Sequence, residues 1–129
     1  MLFKYVAKIN VELYIEEKIY KDVISVFRAD KKKTRLIFYQ ILLGKYNNDL
    51  YGKENPNKKC RDITAMKYKG KPNRRIYCKE LFDGVKKIIA IHILENKSFT
   101  KVNDKSLLPK LEAMKDYEYE FKKIRNENS

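Results

Sequence analysis

The 129-residue sequence predicts an α+β fold in which an antiparallel twisted sheet packs against helices. Three observations predict it. The N-terminal segment alternates apolar and polar residues, the period of a strand. The two segments after it space their apolar residues at helical intervals. Later, "RRIYCKELFDGVKKIIAIHI" reads as two strands bent at Asp83-Gly84, a strong hairpin signal. One domain over residues 1–129 accounts for the whole chain, because its length and its 43% hydrophobic content suffice for a core.

Each element follows in order. "LFKYVAKINVELY" sets Phe3, Tyr5, Ala7, Ile9, Val11 and Leu13 against mostly polar neighbours and predicts one strand. "EEKIYKDVISVFRAD" places Ile19, Val23, Val26 and Phe27 on one helical face. "KKKTRLIFYQILLG" turns Leu36, Ile37, Ile41 and Leu43 toward one side and stops at Gly44. The two form a helical hairpin or one bent helix, with the break near Asp30. Residues 45–59 are rich in Asn, Gly and Pro and read as a loop. "CRDITAMKYK", "RRIYCKELF" and "VKKIIAIHILEN" make a three-stranded meander. Asp104 caps a final helix carrying Leu107, Leu108, Leu111 and Met114, and residues 125–129 are a loose tail.

A two-residue turn at 83–84 pairs Arg75 with His92, Tyr77 with Ala90 and Lys79 with Ile88. Alternation then sends Ile76, Cys78, Phe82, Val85, Ile89, Ile91 and Ile93 to the core. Glu80 falls on or near that face, opposite Lys87, as a rim ion pair. The opposite face carries Arg75, Tyr77, Lys79 and His92, the lone histidine. The Arg75 guanidinium beside His92 would disfavour imidazolium. The turn at "GKPN" permits two registers for the preceding strand, and only one of them adds Arg61, Lys67 and Lys69 to this face. Cys78 faces position 65 or 66 rather than Cys60, so no disulfide is expected.

Charge narrows the partner. The net charge is +13, from 30 Lys and Arg against 17 Asp and Glu. Such an excess repels itself in the folded state and suits a polyanion. Residues 58–101 hold thirteen Lys and Arg against four acids, with Tyr68, Tyr77 and Phe99 among them. Cations that track phosphates beside rings that stack on bases form an RNA-binding combination. A solvated face on a lysine-rich protein is the plainer reading. No apolar run reaches a membrane span, and no signal peptide opens the chain, so a cytoplasmic location and no membrane partner are expected. One His and two isolated Cys lack metal-ligand spacing, and no cofactor is expected.

The stretch "NRRIYCKELFDGVKKIIAIHILENKSFTK" resembles the RelE/HigB-like toxins of bacterial type II toxin–antitoxin systems. Arg75-Ile76-Tyr77 fits the Arg-hydrophobic-Tyr strand of the HigB branch. His92-Ile93-Leu94 followed by Lys97 and Lys101 fits its next strand and the lysines after it. "AMK", ending at Lys67, is similar to the Glu-Leu-Arg strand, with Lys for Arg. The likeness covers residues 60–115. Asn96 stands where a first lysine is usual, and Asp104 and Lys105 replace Thr-Pro.

That resemblance implies a RelE-like fold and a metal-independent endoribonuclease that cleaves mRNA, on or off the ribosome. The ribose 2′-OH attacks the adjacent phosphate and leaves a 2′,3′-cyclic phosphate. Such chemistry needs a base, cations for the phosphorane and an acid for the leaving oxygen. The resemblance assigns Arg75 and Lys97 to transition-state stabilisation. It gives Lys67 and Lys79 the role of base or further electrostatic support. It makes His92 the acid and lets Tyr77 orient the 2′-OH or stack on a base. Arg61, Lys69, Arg74 and Lys101 would touch RNA phosphates. An acidic antitoxin protein is the implied partner. Two other functions fit the same charge: a non-catalytic ParE-like toxin that binds gyrase, and a basic nucleic-acid-binding protein of a mobile element.

Overall fold

A six-stranded mixed sheet carries two helices on one face. The computed structural model describes residues 11–54, 63–70, 73–82 and 84–95, together with the backbone of residues 2–5. The predicted final helix from Asp104, the tail, Cys60, Arg61, Lys97 and Lys101 lie outside the described residues.

The strands are β1 (Leu2–Tyr5), β2 (Val11–Ile15), β3 (Tyr51–Lys53), β4 (Ile63–Tyr68), β5 (Arg74–Phe82) and β6 (Lys86–Leu94), in the spatial order β1-β2-β6-β5-β4-β3. The helices are α1 (Tyr20–Ala29), entered through a short 3-10 turn at Glu17–Ile19, and α2 (Lys31–Leu42). Two expectations change at once. The N-terminal segment is two strands, with Leu2 opposite Tyr14 and Tyr5 opposite Val11. The sheet is mixed rather than antiparallel, because β2 runs parallel to β6 with Leu13 opposite Ile88. Residues 45–59 also hold β3, which pairs Tyr51 with Met66 in β4.

The helical reading of 16–44 agrees with the break and the stop. Asp30 closes α1 through its backbone N–H to the Val26 carbonyl, and its carboxylate accepts from the Lys33 N–H to open α2. Gly44, at φ +71°, follows the end of α2 in the left-handed region that glycine enters without a Cβ penalty. The Thr34 hydroxyl donates toward the Asp30 carbonyl at 2.8 Å, and the Tyr68 hydroxyl of β4 is 2.7 Å away. This contact pins the helical elbow to the sheet.

The main core lies between helices and sheet. Val23, Val26, Phe27, Ile37 and Ile41 meet Leu13, Met66, Tyr68, Ile76, Cys78, Ile88 and Ala90. Phe27 and Phe38 pack edge-to-face with centroids 5.2 Å apart. Leu36 and Leu43 are not in this core: both are exposed. They lie on the side of α2 away from the Ile37–Ile41 stripe.

The hairpin register differs from expectation. Phe82 pairs with Lys86, so three residues separate the two strands, and Gly84 among them has φ +67°. Val85 is therefore in the turn rather than in the core. Glu80 then faces Ile88 rather than Lys87, and Lys79 faces Ile89. A bulge next to Tyr77 and Cys78 adds one residue, Ile91, so that Tyr77 faces His92 and Arg75 faces Leu94. The shift moves Ile88 and Ala90 into the helix-side core, and Ile89 and Ile91 to the other face. Phe82, expected inside, is 81% exposed at the hairpin tip.

Both faces of β6 are apolar, so the shift exposes no isoleucine. Ile89 and Ile91 join Tyr14, Ile63, Ala65 and Tyr77 in a second buried cluster. The face expected to be polar and solvated is therefore largely buried. Among the described residues no helix is long and apolar enough to cross a membrane.

Candidate functional site

β4 and β5 place two cations side by side. Lys67 is the Cα partner of Arg75, the register that brings Lys67 onto the same face as Arg75, Tyr77 and Lys79. Cys78 faces Thr64 rather than position 65 or 66, and it is a free, buried thiol. Burial pushes that thiol up from its ordinary range, so it stays protonated and unreactive.

Lys67 and Arg75 are 7% and 6% exposed. One carboxylate serves both: Glu54 Oε1 is 3.5 Å from Lys67 Nζ and 3.5 Å from Arg75 Nε. Lys67 Nζ also donates to the Asn48 carbonyl at 3.0 Å. One terminal nitrogen of Arg75 donates to Asn73 Oδ1 and to the Arg74 carbonyl. Arg75 Nε is buried and makes no hydrogen bond among the described residues.

The electrostatics follow from this crowding. Burial holds the Lys67 ammonium below the ordinary lysine pKa; Glu54 opposes the shift, while Arg75 and Lys69 add to it. A lysine tuned this way releases its proton more readily than a solvated one. Two desolvated cations on one carboxylate also form a positive centre that a second anion would neutralise.

Next along β5, Tyr77 is buried and stacks on His92, ring centroids 6.4 Å apart and 29° from parallel. The expected Arg75–His92 pairing does not form, because the longer hairpin link and the bulge each shift β6 by one residue, which sets His92 opposite Tyr77 and Leu94 opposite Arg75. Tyr77, not a guanidinium, thus faces His92 across the two strands. Lys79 is half-buried between Ile63 and Ile89. Arg74 takes the opposite face by alternation and lies 3.2 Å from Glu95. Lys69 is exposed, beyond the end of β4, and pairs with Asp49 at 2.7 Å. Lys67, Arg75, Tyr77, Lys79 and His92 thus share one face, while Arg74 and Lys69 stand apart from it.

The sequence reading missed Glu54, which lies in the stretch assigned to loop. It also undervalued Glu80. That carboxylate accepts from the hydroxyls of Tyr46 and Tyr51 and sits 3.5 Å from Lys86 Nζ. The Tyr51 hydroxyl reaches Thr64 Oγ1 as well, at 2.8 Å. Burial first, and the adjacent negative charge after it, raise the Tyr51 phenol well above its usual range. Glu80 therefore ties β3 to β5 across β4 and acts as a structural anchor. Among the described residues no group of three His, Cys, Asp or Glu could hold a metal ion.

The chain matches no family model, no curated protein and no solved structure.

Proposed function

We propose that this chain is a RelE/HigB-like toxin: a metal-independent endoribonuclease that cleaves mRNA through its 2′-OH, on or off the ribosome, and is held in check by an acidic antitoxin. The observation that carries the reading is the cross-strand pair Lys67–Arg75, with the lysine pKa lowered by burial. The pair supplies a cation for the phosphorane and a lysine able to act as base. Tyr77 and His92, next along the same face, are suited to orienting the ribose and protonating the leaving oxygen.

The same burial sets a requirement. A scissile phosphate bound by Lys67 and Arg75 would take the place of the Glu54 carboxylate that faces both. The anion then exchanges one negative partner for another, and the cations are never left bare.

The test is cleavage of a purified mRNA by the whole chain, without ribosomes in the presence of a chelator and, separately, with intact ribosomes in magnesium buffer. The wild type is expected to leave 2′,3′-cyclic phosphate ends. Arg75→Ala and Lys67→Ala are each expected to slow cleavage about 100-fold, on the scale of losing one preorganised charge. Cleavage that survives both substitutions, or ribosome-free cleavage that needs a divalent ion, would overturn the proposal. Growth arrest without RNA cleavage would point instead to the non-catalytic, gyrase-binding alternative.

A further inference from the structure

Helix α2 is amphipathic twice over. Its inner stripe, Thr34, Ile37 and Ile41, is buried. On the opposite side Leu36, Tyr39 and Leu43 recur at steps of three and four, and are 45%, 63% and 47% exposed. Such a row costs solubility and adds nothing to the core, so it is a contact surface by default.

Cations surround the row. Residues 28–35 contain Arg28, Lys31, Lys32, Lys33 and Arg35, with Asp30 the only acid among them. All five cations except the half-buried Lys33 are exposed. Lys32 and Arg35 precede Leu36 and Tyr39 on the outer side of the same helix. The first turn of α2 holds no acid, although three lysines at a helix N-terminus oppose the helix dipole. Among the described residues Lys32 and Arg35 form no ion pair, and Leu36 and Leu43 lie outside the core. Asp30 already occupies the helix end by accepting from the Lys33 N–H, so the side chains do the recognising.

We propose that the outer face of α2 docks an acidic, amphipathic protein segment, whose apolar side chains cover Leu36, Tyr39 and Leu43 and whose carboxylates meet Lys32 and Arg35. Charge selects this occupant. A second copy of the chain would bring the same cations face to face in a molecule of net charge +13. A nucleic acid would satisfy the lysines but gain little from two leucines. A helix or strand with acids beside a row of apolar residues satisfies both halves. The inference stands independently of the catalytic reading.

Display selection of random peptides against the intact chain tests it. Enriched peptides are expected to combine acids with apolar residues at regular spacing. Their affinity should fall at least about tenfold in Leu36→Asp and in Tyr39→Asp, and weaken in Lys32→Glu. The exposed positions leave the fold intact, so Tyr39→Asp should cleave RNA like the wild type. Loss of cleavage by the wild type would sink the catalytic reading alone. The docking proposal is overturned by peptides indifferent to Leu36 and Tyr39, by failure to enrich any peptide, or by self-association that the same substitutions abolish.

Discussion

Replacing Glu54 with Gln isolates the central electrostatic claim. The substitution keeps the side-chain shape and removes the carboxylate charge that, among the described residues, faces both Lys67 and Arg75. At 3.5 Å and an effective dielectric near 20, each contact is worth roughly 5 kcal/mol of gross Coulomb attraction. Desolvation offsets most of this, and measured losses on breaking a buried pair are about 3–5 kcal/mol. The side chains are about nine-tenths buried, so solvent screening takes away little. Glu54→Gln should therefore lose about 3 kcal/mol in urea unfolding at pH 7. Its anion affinity should move the other way, since no internal carboxylate competes for the two cations. Inorganic phosphate or a short RNA should stabilise the variant more than the wild type, by the usual binding linkage. A stability change under about 0.5 kcal/mol, or equal stabilisation of both proteins by phosphate, would refute the reasoning.

Lys67 gives a pH signature. Its folded pKa lies below the unfolded value, so the unfolded chain binds more protons between the two, and stability contributed by this group rises with pH across that window. As a base, neutral Lys67 should make cleavage climb with pH and level off below the ordinary lysine value; Lys67→Arg should remove that limb in a pH–rate profile. Thr34→Val should cost about 1–2 kcal/mol by thermal unfolding, because it removes the buried hydroxyl contact between Thr34 and Tyr68. Tyr51→Phe should cost about 2 kcal/mol in urea, since it removes a charge-assisted hydrogen bond to Glu80.

Much of the architecture was legible in the residues. Helical spacing located α1 and α2, Asp30 marked the elbow and Gly44 the stop. The meander of β4, β5 and β6 followed from alternation and from Asp83-Gly84. What failed has physical causes. Alternation runs unbroken through residues 2–15, and it continues in phase across the link between two paired strands, so β1 and β2 read as one. β3 is three residues long and carries a glycine, too short for any periodicity. The register slipped because "KKIIAIHIL" is apolar on both faces and tolerates either assignment, which is typical of a central strand beside a parallel neighbour. Leu36 and Leu43 were assigned to the core because apolar character alone does not tell a packed face from a docking face.

At the site, parity brought Arg75, Tyr77, Lys79 and His92 to one face, while the place of Lys67 hung on a register of β4 that the turn residues left open. Their mutual order along it was not legible, because the longer link shifts every pair by one residue and the bulge shifts those beyond Tyr77 by another. Nor could the sequence reveal Glu54, whose role depends on a short strand carrying it toward β4. The carboxylate is informative only once its distance to two buried cations is known.

The parallel pairing of β2 with β6 has a consequence for synthesis. Residues 11–15 find their neighbours at 86–90, so the strand made first waits for one made much later. Until then the edge of β2 that β6 pairs with is open on a growing polypeptide, and closure of the sheet must draw together distant parts of the chain, a slow and aggregation-exposed step. A translational pause before codon 86 should therefore raise misfolding, whereas one after residue 94 should be far better tolerated.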